Sequence, residues 1–234
     1  MLLATTLGIA GAAAWRAYAP PRQALNVVVL LADTLRADHL SGYGYARPTT
    51  PNLDRFFAGG VVFHAARAQA SCTYPSVNSI LTSRYPSPFL TQPDKRMGIP
   101  ADIPTIAEIL SQNGYATIAL SASPIIRKTG TKYNNNGGFD RGFDVFEEQC
   151  MWREARCLNE KLLPFLDRTD KPFFAYLHYM DPHDPYRPPI WYRKRFGADY
   201  EGLDFVASGN PNPIADAISG RSRCRSTNRG ICST

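Results

Sequence analysis

Residues 26–40, NVVVLLADTLRADHL, constrain the fold more than any other stretch of the chain. The five consecutive aliphatic residues at 27–31 predict a fully buried β-strand, and the run stops at Ala32-Asp33-Thr34. A carboxylate directly after a buried strand lies at the carboxyl edge of a sheet, where open α/β folds place their ligands. Two roles are open to Asp33 there. It can offer oxygen to a hard divalent cation, or it can cap the helix that follows.

Further along, helical and strand signals alternate. A short helix or turn is expected over 34–39, ended by Gly42-Tyr43-Gly44-Tyr45. Pro51 suits a helix start, with Leu53, Phe56 and Phe57 as its apolar face and Gly59-Gly60 beyond its end. Residues 61–63 predict a short strand. Residues 103–113 predict an amphipathic helix that turns Ile106, Ile109 and Leu110 inward, with Gly114 just past it. A buried strand follows over 116–120, a loop over 133–138, a helix over 158–166 despite Pro164, and a strand over 172–178. This alternation predicts an α/β fold with a mainly parallel central sheet flanked by helices. A chain of 234 residues, 44% hydrophobic, is long enough to bury one sizeable core.

Residues 71–86, SCTYPSVNSILTSRYP, carry the second informative pattern. Pro75 fits the first turn of a helix, and Ile80 and Leu81 supply apolar positions near its end. A hydroxyl at such a helix start sits in the positive end of its dipole, which favours a tetrahedral anion. Thr73 is that residue, and a plain N-cap is its other role. The third pattern is PFFAYLHYMDPHDPYRPP at 172–189, where His183 follows the strand among turn-forming prolines. His178, at the end of that strand, reads as structural, and Arg36 and Asp38 read as organisers of the first loop.

The net charge of +6 is concentrated at one end. Residues 219–234 contain Arg221, Arg223, Arg225 and Arg229 and no acid, so the body of the chain is nearly neutral. No basic stripe with interleaved aromatics occurs elsewhere, which argues against a nucleic-acid-binding body. Five cysteines match no zinc-ligand spacing. Cys150 and Cys157 are either a disulfide, in an oxidising compartment, or free thiols. Residues 1–14 are apolar and uncharged, and Pro20-Pro21-Arg22-Gln23 reads as a linker. Residues 1–25 are therefore expected to hold an export signal or membrane anchor plus a linker, with a buried N-terminal helix as the alternative. An exported, periplasmic, extracellular or membrane-anchored protein is the corresponding expectation.

Several of these segments together resemble the sulfatase family of the alkaline phosphatase superfamily. The resemblance rests on Asp33 after the first strand, Thr50-Pro51-Asn52-Leu53-Asp54, and the Pro75-Ser76 pair opening a helix that ends Leu81-Thr82-Ser83-Arg84-Tyr85-Pro86. It continues through PTIAEIL at 104–110, GYAT at 114–117, GFDRGFD at 138–144 and the segment 172–189. The family's fold, a sulfatase-like α/β domain over residues 26–218, is the implied architecture. The resemblance also implies a metal-dependent hydrolase of sulfuric or phosphoric esters, acting on a sulfated or phosphorylated small molecule, glycan or lipid. It implies a divalent ion (Ca, Mg, Mn or Zn, with Ca for a sulfatase-like site).

Sulfatases use a formylglycine made from Cys in a Cys-x-Pro-Ser-Arg motif. Alignment on Pro75-Ser76 places Thr73 at that position and leaves Cys72 one residue early. Val77 stands at the family's arginine, and Thr34 at the second of its paired metal-binding aspartates. These departures point away from a formylglycine and towards relatives that transfer or cleave phosphoesters with a threonine nucleophile, such as phosphoethanolamine transferases. Thr73 is then nucleophile and metal ligand, Asp33 a metal ligand, and His183 the second catalytic candidate. A shifted loop centred on Cys72 and a non-catalytic, anion-binding family member are the alternatives. The family's remaining metal ligands come from a downstream Asp-His-Gly-type segment, and no such pair occurs here. The shift in composition at residue 219 leads to the expectation of an atypical tail over 219–234, a domain incomplete at its C-terminus, and impaired activity.

Overall fold

A computed structural model describes residues 24–87, 98–130, 137–151 and 154–183, together with residue 192. The N-terminal apolar stretch, the tail over 219–234 and positions 133–136 of the expected loop lie outside the described residues.

Four strands form one sheet: β1 (Val27–Ala32), β2 (Ala116–Ser121), β3 (Val145–Glu147) and β4 (Phe173–Tyr179). Their spatial order is β1-β4-β2-β3, and every pairing is parallel. Parallel neighbours need crossover connections, and helices lie in those from β1 to β2 and from β3 to β4. The helices are α1 (Pro51–Phe57), α2 (Thr73–Thr82), α3 (Ile106–Gln112) and α4 (Ala155–Leu166). The α/β reading with a parallel sheet is what the chain adopts.

Strand parity divides the core into two layers. On one face Val27, Val29, Leu31, Phe174 and Tyr176 pack with Tyr74, Val77 and Leu81 of α2. On the other face Ile118, Leu120, Ala175 and Leu177 pack with Leu158, Leu162 and Phe165 of α4. Each layer arises because alternate residues of a strand point to opposite sides.

The fully buried first strand is a correction. β1 lies at the edge of the sheet among the described strands, and α4 covers β2 and β4 instead of it. Val28 and Leu30 therefore remain 45% and 61% exposed while their odd-numbered neighbours are covered. The face predicted for α1 is also corrected. Phe56 is 75% exposed, and the inward residues are Asp54 and Phe57. Asp54 accepts hydrogen bonds from the Ser41 and Thr50 hydroxyls (2.6 and 3.1 Å), so polar bonds fix this short helix to the loop after β1. In α3, Ala107 is buried while Ile106 and Ile109 are exposed. Residues 61–63 form no strand.

The GFDRGFD segment is explained structurally. The Arg141 guanidinium donates to the carbonyls of Pro100 and Ile103 and pairs with Glu108 in the first turn of α3. Asp144 accepts from the Thr117 N–H of β2 at 2.9 Å. Gly142, at φ 81°, lets the loop lie against α3, since a Cβ there would fall 2.0 Å from the Glu108 nitrogen. Cys150 forms a disulfide with Cys157 in the first turn of α4.

Truncating Leu177, fully buried between β4 and α4, is expected to cost about 2–5 kcal/mol as Leu177→Ala. Leu30→Ala on the open face should cost less than about 0.5 kcal/mol. Urea denaturation of the two variants measures the contrast, and equal losses would mean that Leu30 is covered.

Candidate functional site

Parity builds the site as it builds the core. Val27, Val29 and Leu31 face α2, so Asp33, next in the series, faces it too. The Asp33 N–H donates to the Tyr179 carbonyl at 2.9 Å, extending the β1–β4 ladder one residue past the strand. In β4 the same series runs Phe174, Tyr176, His178, and His178 pairs in register with Leu31. Pro75 in the first turn starts α2 above this edge. Thr73 is its first residue.

Four side chains consequently meet. The Thr73 hydroxyl donates to Asp33 Oδ2 at 3.0 Å, across 40 residues of sequence. His178 Nε2 lies 3.0 Å from the same oxygen, and His178 Nδ1 lies 3.0 Å from the Tyr176 hydroxyl. His178 and Tyr176 are buried, and Asp33 is 8% exposed. Neither capping role is realised. Cys72, not Thr73, is the N-cap of α2, and Arg36 flanks the 3-10 turn Ala37–His39 that follows Asp33.

Thr34 turns the chain sharply away from β1. It has φ 56°, a left-handed conformation that a β-branched residue adopts at a cost. Its hydroxyl donates to the Pro182 carbonyl at 3.1 Å, tying this loop to the turn that carries His183. That turn closes through the His183 N–H on the Met180 carbonyl (2.9 Å), and Asp181 accepts from the Ala155 N–H of α4 (3.2 Å). Three anchors thus fix His183 near Asp33. Arg36 and Asp38 form an exposed ion pair in the first loop, away from this cluster of bonds.

Burial is the largest influence on Asp33, and it raises the carboxyl pKa. The hydrogen bond and attraction of His178, the Thr73 hydroxyl and the field of His183 together outweigh it, so the pKa lies below the ordinary aspartate value. Burial, followed by the charge of Asp33, pushes the Tyr176 phenol well above its ordinary range. At neutral pH the cluster therefore holds a carboxylate and a neutral phenol.

The comparisons with known proteins fit this geometry. A profile of the sulfatase family matches residues 25–219. The chain belongs to the sulfatase family. Bovine (Bos taurus) arylsulfatase A is 38% identical over 117 residues, covering 48% of this chain and 22% of that protein. Two solved structures share this fold. The C-terminal periplasmic domain of EcEptC from Escherichia coli, in complex with Zn, aligns with a TM-score of 0.58 at 21% identity, covering 78% of this chain and 52% of that one. The phosphonate monoester hydrolase of Agrobacterium radiobacter aligns at 0.61 and 19% identity, covering 76% and 45%. The chain spans about half the length of these solved structures and about a fifth of the arylsulfatase.

Within this sulfatase-family fold, Asp33 and Thr73 come together in the cluster and His183 stands beside it. His178 is the member that sequence reasoning set aside as structural. Its signal was parity, since it shares the face of Phe174 and Tyr176 and breaks an otherwise apolar strand. Asp33 and Thr73 together offer a carboxylate and a hydroxyl, a hard-oxygen pair that fits part of the coordination sphere of a divalent cation. Among the described residues no group of three His, Cys, Asp or Glu side chains adds to them.

The lowered Asp33 pKa sets a pH dependence. Its stabilising contribution is complete above the ordinary value of 3.8 and is lost as pH falls through its lower folded value. Thermal melts from neutral pH into this acid range should show that loss, and Asp33→Asn should flatten it. An unchanged acid limb in the variant would contradict the pairing.

Proposed function

We propose that this chain provides the nucleophile side of a metal-dependent site for phosphoric or sulfuric esters, with the Thr73 hydroxyl as attacking group. The observation that carries this reading is the 3.0 Å bond from Thr73 Oγ1 to Asp33 Oδ2 at the carboxyl edge of the sheet. It aims a hydroxyl, from the start of a ten-residue helix, at the carboxylate that can share a cation with it. Phosphoesters are favoured over sulfate esters. The position holds an alcohol, and Cys72, one residue earlier, is exposed and is the helix N-cap. The likeness to a phosphonate monoester hydrolase supports the same preference, while the arylsulfatase relatives keep sulfate esters within the substrate class.

The chemistry divides among this chain's residues. Thr73 Oγ attacks phosphorus or sulfur, forming an ester to the protein as the bond to the leaving alcohol breaks. Asp33 orients that hydroxyl and, with its lowered pKa, remains an anion suited to a cation and a weak base. A divalent ion (Ca, Mg, Mn or Zn) would be held by Asp33 and Thr73 and would supply the lowering of the hydroxyl pKa that Asp33 cannot. His183 is the candidate donor of a proton to the departing oxygen. The substrate class is a phosphorylated or sulfated small molecule, glycan or lipid. Export to the periplasm or cell exterior is supported by the disulfide and the apolar stretch at 1–14, with residues 26–218 as the sulfatase-like domain. No helix among the described residues is long and apolar enough to cross a membrane.

The test is turnover of aryl phosphodiester and aryl sulfate by the full chain with each divalent ion added in turn. Thr73→Ala should lower turnover by about a thousandfold or more, and His183→Ala by roughly a hundredfold or more. Retained activity in Thr73→Ala, with loss in Cys72→Ser, would move the nucleophile to Cys72. Ion binding without turnover of either ester would favour an anion-binding role.

A further inference from the structure

His178 has no part in the reaction outlined above, yet it is wholly buried and touches the central carboxylate. Its surroundings fix its proton. Tyr176 stays a neutral phenol and must place its hydroxyl proton, and an ionised Asp33 can only accept. A ring that carries its proton on Nε2 fits both neighbours. Nε2–H donates to Asp33 Oδ2, and Nδ1 accepts from the Tyr176 hydroxyl. The opposite tautomer would set the Nε2 lone pair against a carboxylate oxygen 3.0 Å away.

The consequence falls on Asp33. Thr73 and His178 both bond to Oδ2, and no bond to Oδ1 is recorded among the described residues. Carboxylates that hold metal ions are themselves oriented by hydrogen bonds of this kind, and loss of such a partner typically weakens binding.

We propose that Tyr176 and His178 form a positioning pair that holds the Asp33 carboxylate by Oδ2 and presents Oδ1 to a divalent cation. The proposal rests on the metal-dependent reading of Asp33 and Thr73. The β1–β4 register makes it possible, because Leu31 stands opposite His178 and Val29 opposite Tyr176, bringing both residues to Asp33's side of the sheet. His178 acts through Asp33 and touches no substrate.

Two measurements on the full chain test it. Nitrogen-15 spectra of the imidazole, recorded without metal, should show a proton on His178 Nε2, and Tyr176→Phe should loosen that placement. A ring without a proton on Nε2 in the parent chain overturns the proposal. Calorimetric titration with Mn²⁺ should show binding weakened about 10–100-fold in His178→Leu. In His178→Gln, whose amide N–H can reach the same oxygen, binding should recover to within a few-fold of the parent. A purely structural histidine predicts a different pattern, in which His178→Leu melts at lower temperature but binds Mn²⁺ like the parent, and that result overturns the proposal. If His178→Leu does not fold, the comparison of His178→Gln and Tyr176→Phe with the parent decides. A parent chain that shows the Nε2–H tautomer yet binds no Mn²⁺ overturns the metal-dependent reading and the role of Oδ1, while leaving the hydrogen-bonded arrangement intact.

Discussion

The parallel ladder between β1 and β4 is the constraint on which the rest of the site depends. Its six paired positions set the register, and the Asp33 N–H continues it onto the Tyr179 carbonyl. A slip of one residue would carry Asp33 to the opposite face, away from α2 and Thr73. It would also separate His178 from the carboxylate. Hydrophobic burial enforces the register, because the same slip would turn Val27, Val29 and Leu31 away from the α2 layer. Packing energy in the strand interior thereby positions polar groups at its end.

The loops beyond the ladder are fixed by a few bonds between segments far apart in the chain. Thr34 holds an unfavourable backbone angle and is compensated by its bond to Pro182. Asp181 takes its partner from the start of α4, so the turn bearing His183 is steadied from the far layer of the molecule. The disulfide between Cys150 and Cys157 constrains the approach to that same helix. Rigidity around His183 is thus shared among β1, β4 and α4.

Local signals in the sequence revealed most of the elements. The aliphatic run before Asp33, Pro75 in the first turn of α2 and Gly114 after α3 each act within a few residues, and each was legible. Coverage was not. Val28 and Leu30 look as buried as Val27 and Val29 until the reach of α4 is known, and Phe56 looks like core until Asp54 is seen to anchor α1. At the site, Asp33 and Thr73 could be singled out by position relative to a strand end and a helix start. Parity marked the face of His178, but its meeting with Asp33 required the β1–β4 register, which no stretch of sequence contains by itself. The GFDRGFD segment entered only as part of a resemblance, and in the structure it is a clasp between α3 and β2.

The strand order also has a history in time. β1 is made early, but its neighbour β4 follows only after β2 and β3, and the Phe173 N–H meets Asn26 Oδ1 across 147 residues. At ribosomal elongation rates of roughly 5–20 residues per second, β1 emerges on the order of ten seconds before its partner exists. During that interval an aliphatic strand has no ladder to join, which makes it a natural client for a holding chaperone. The cluster around Asp33 cannot form until β4 is present, so whatever delays the synthesis of β4 delays the site with it.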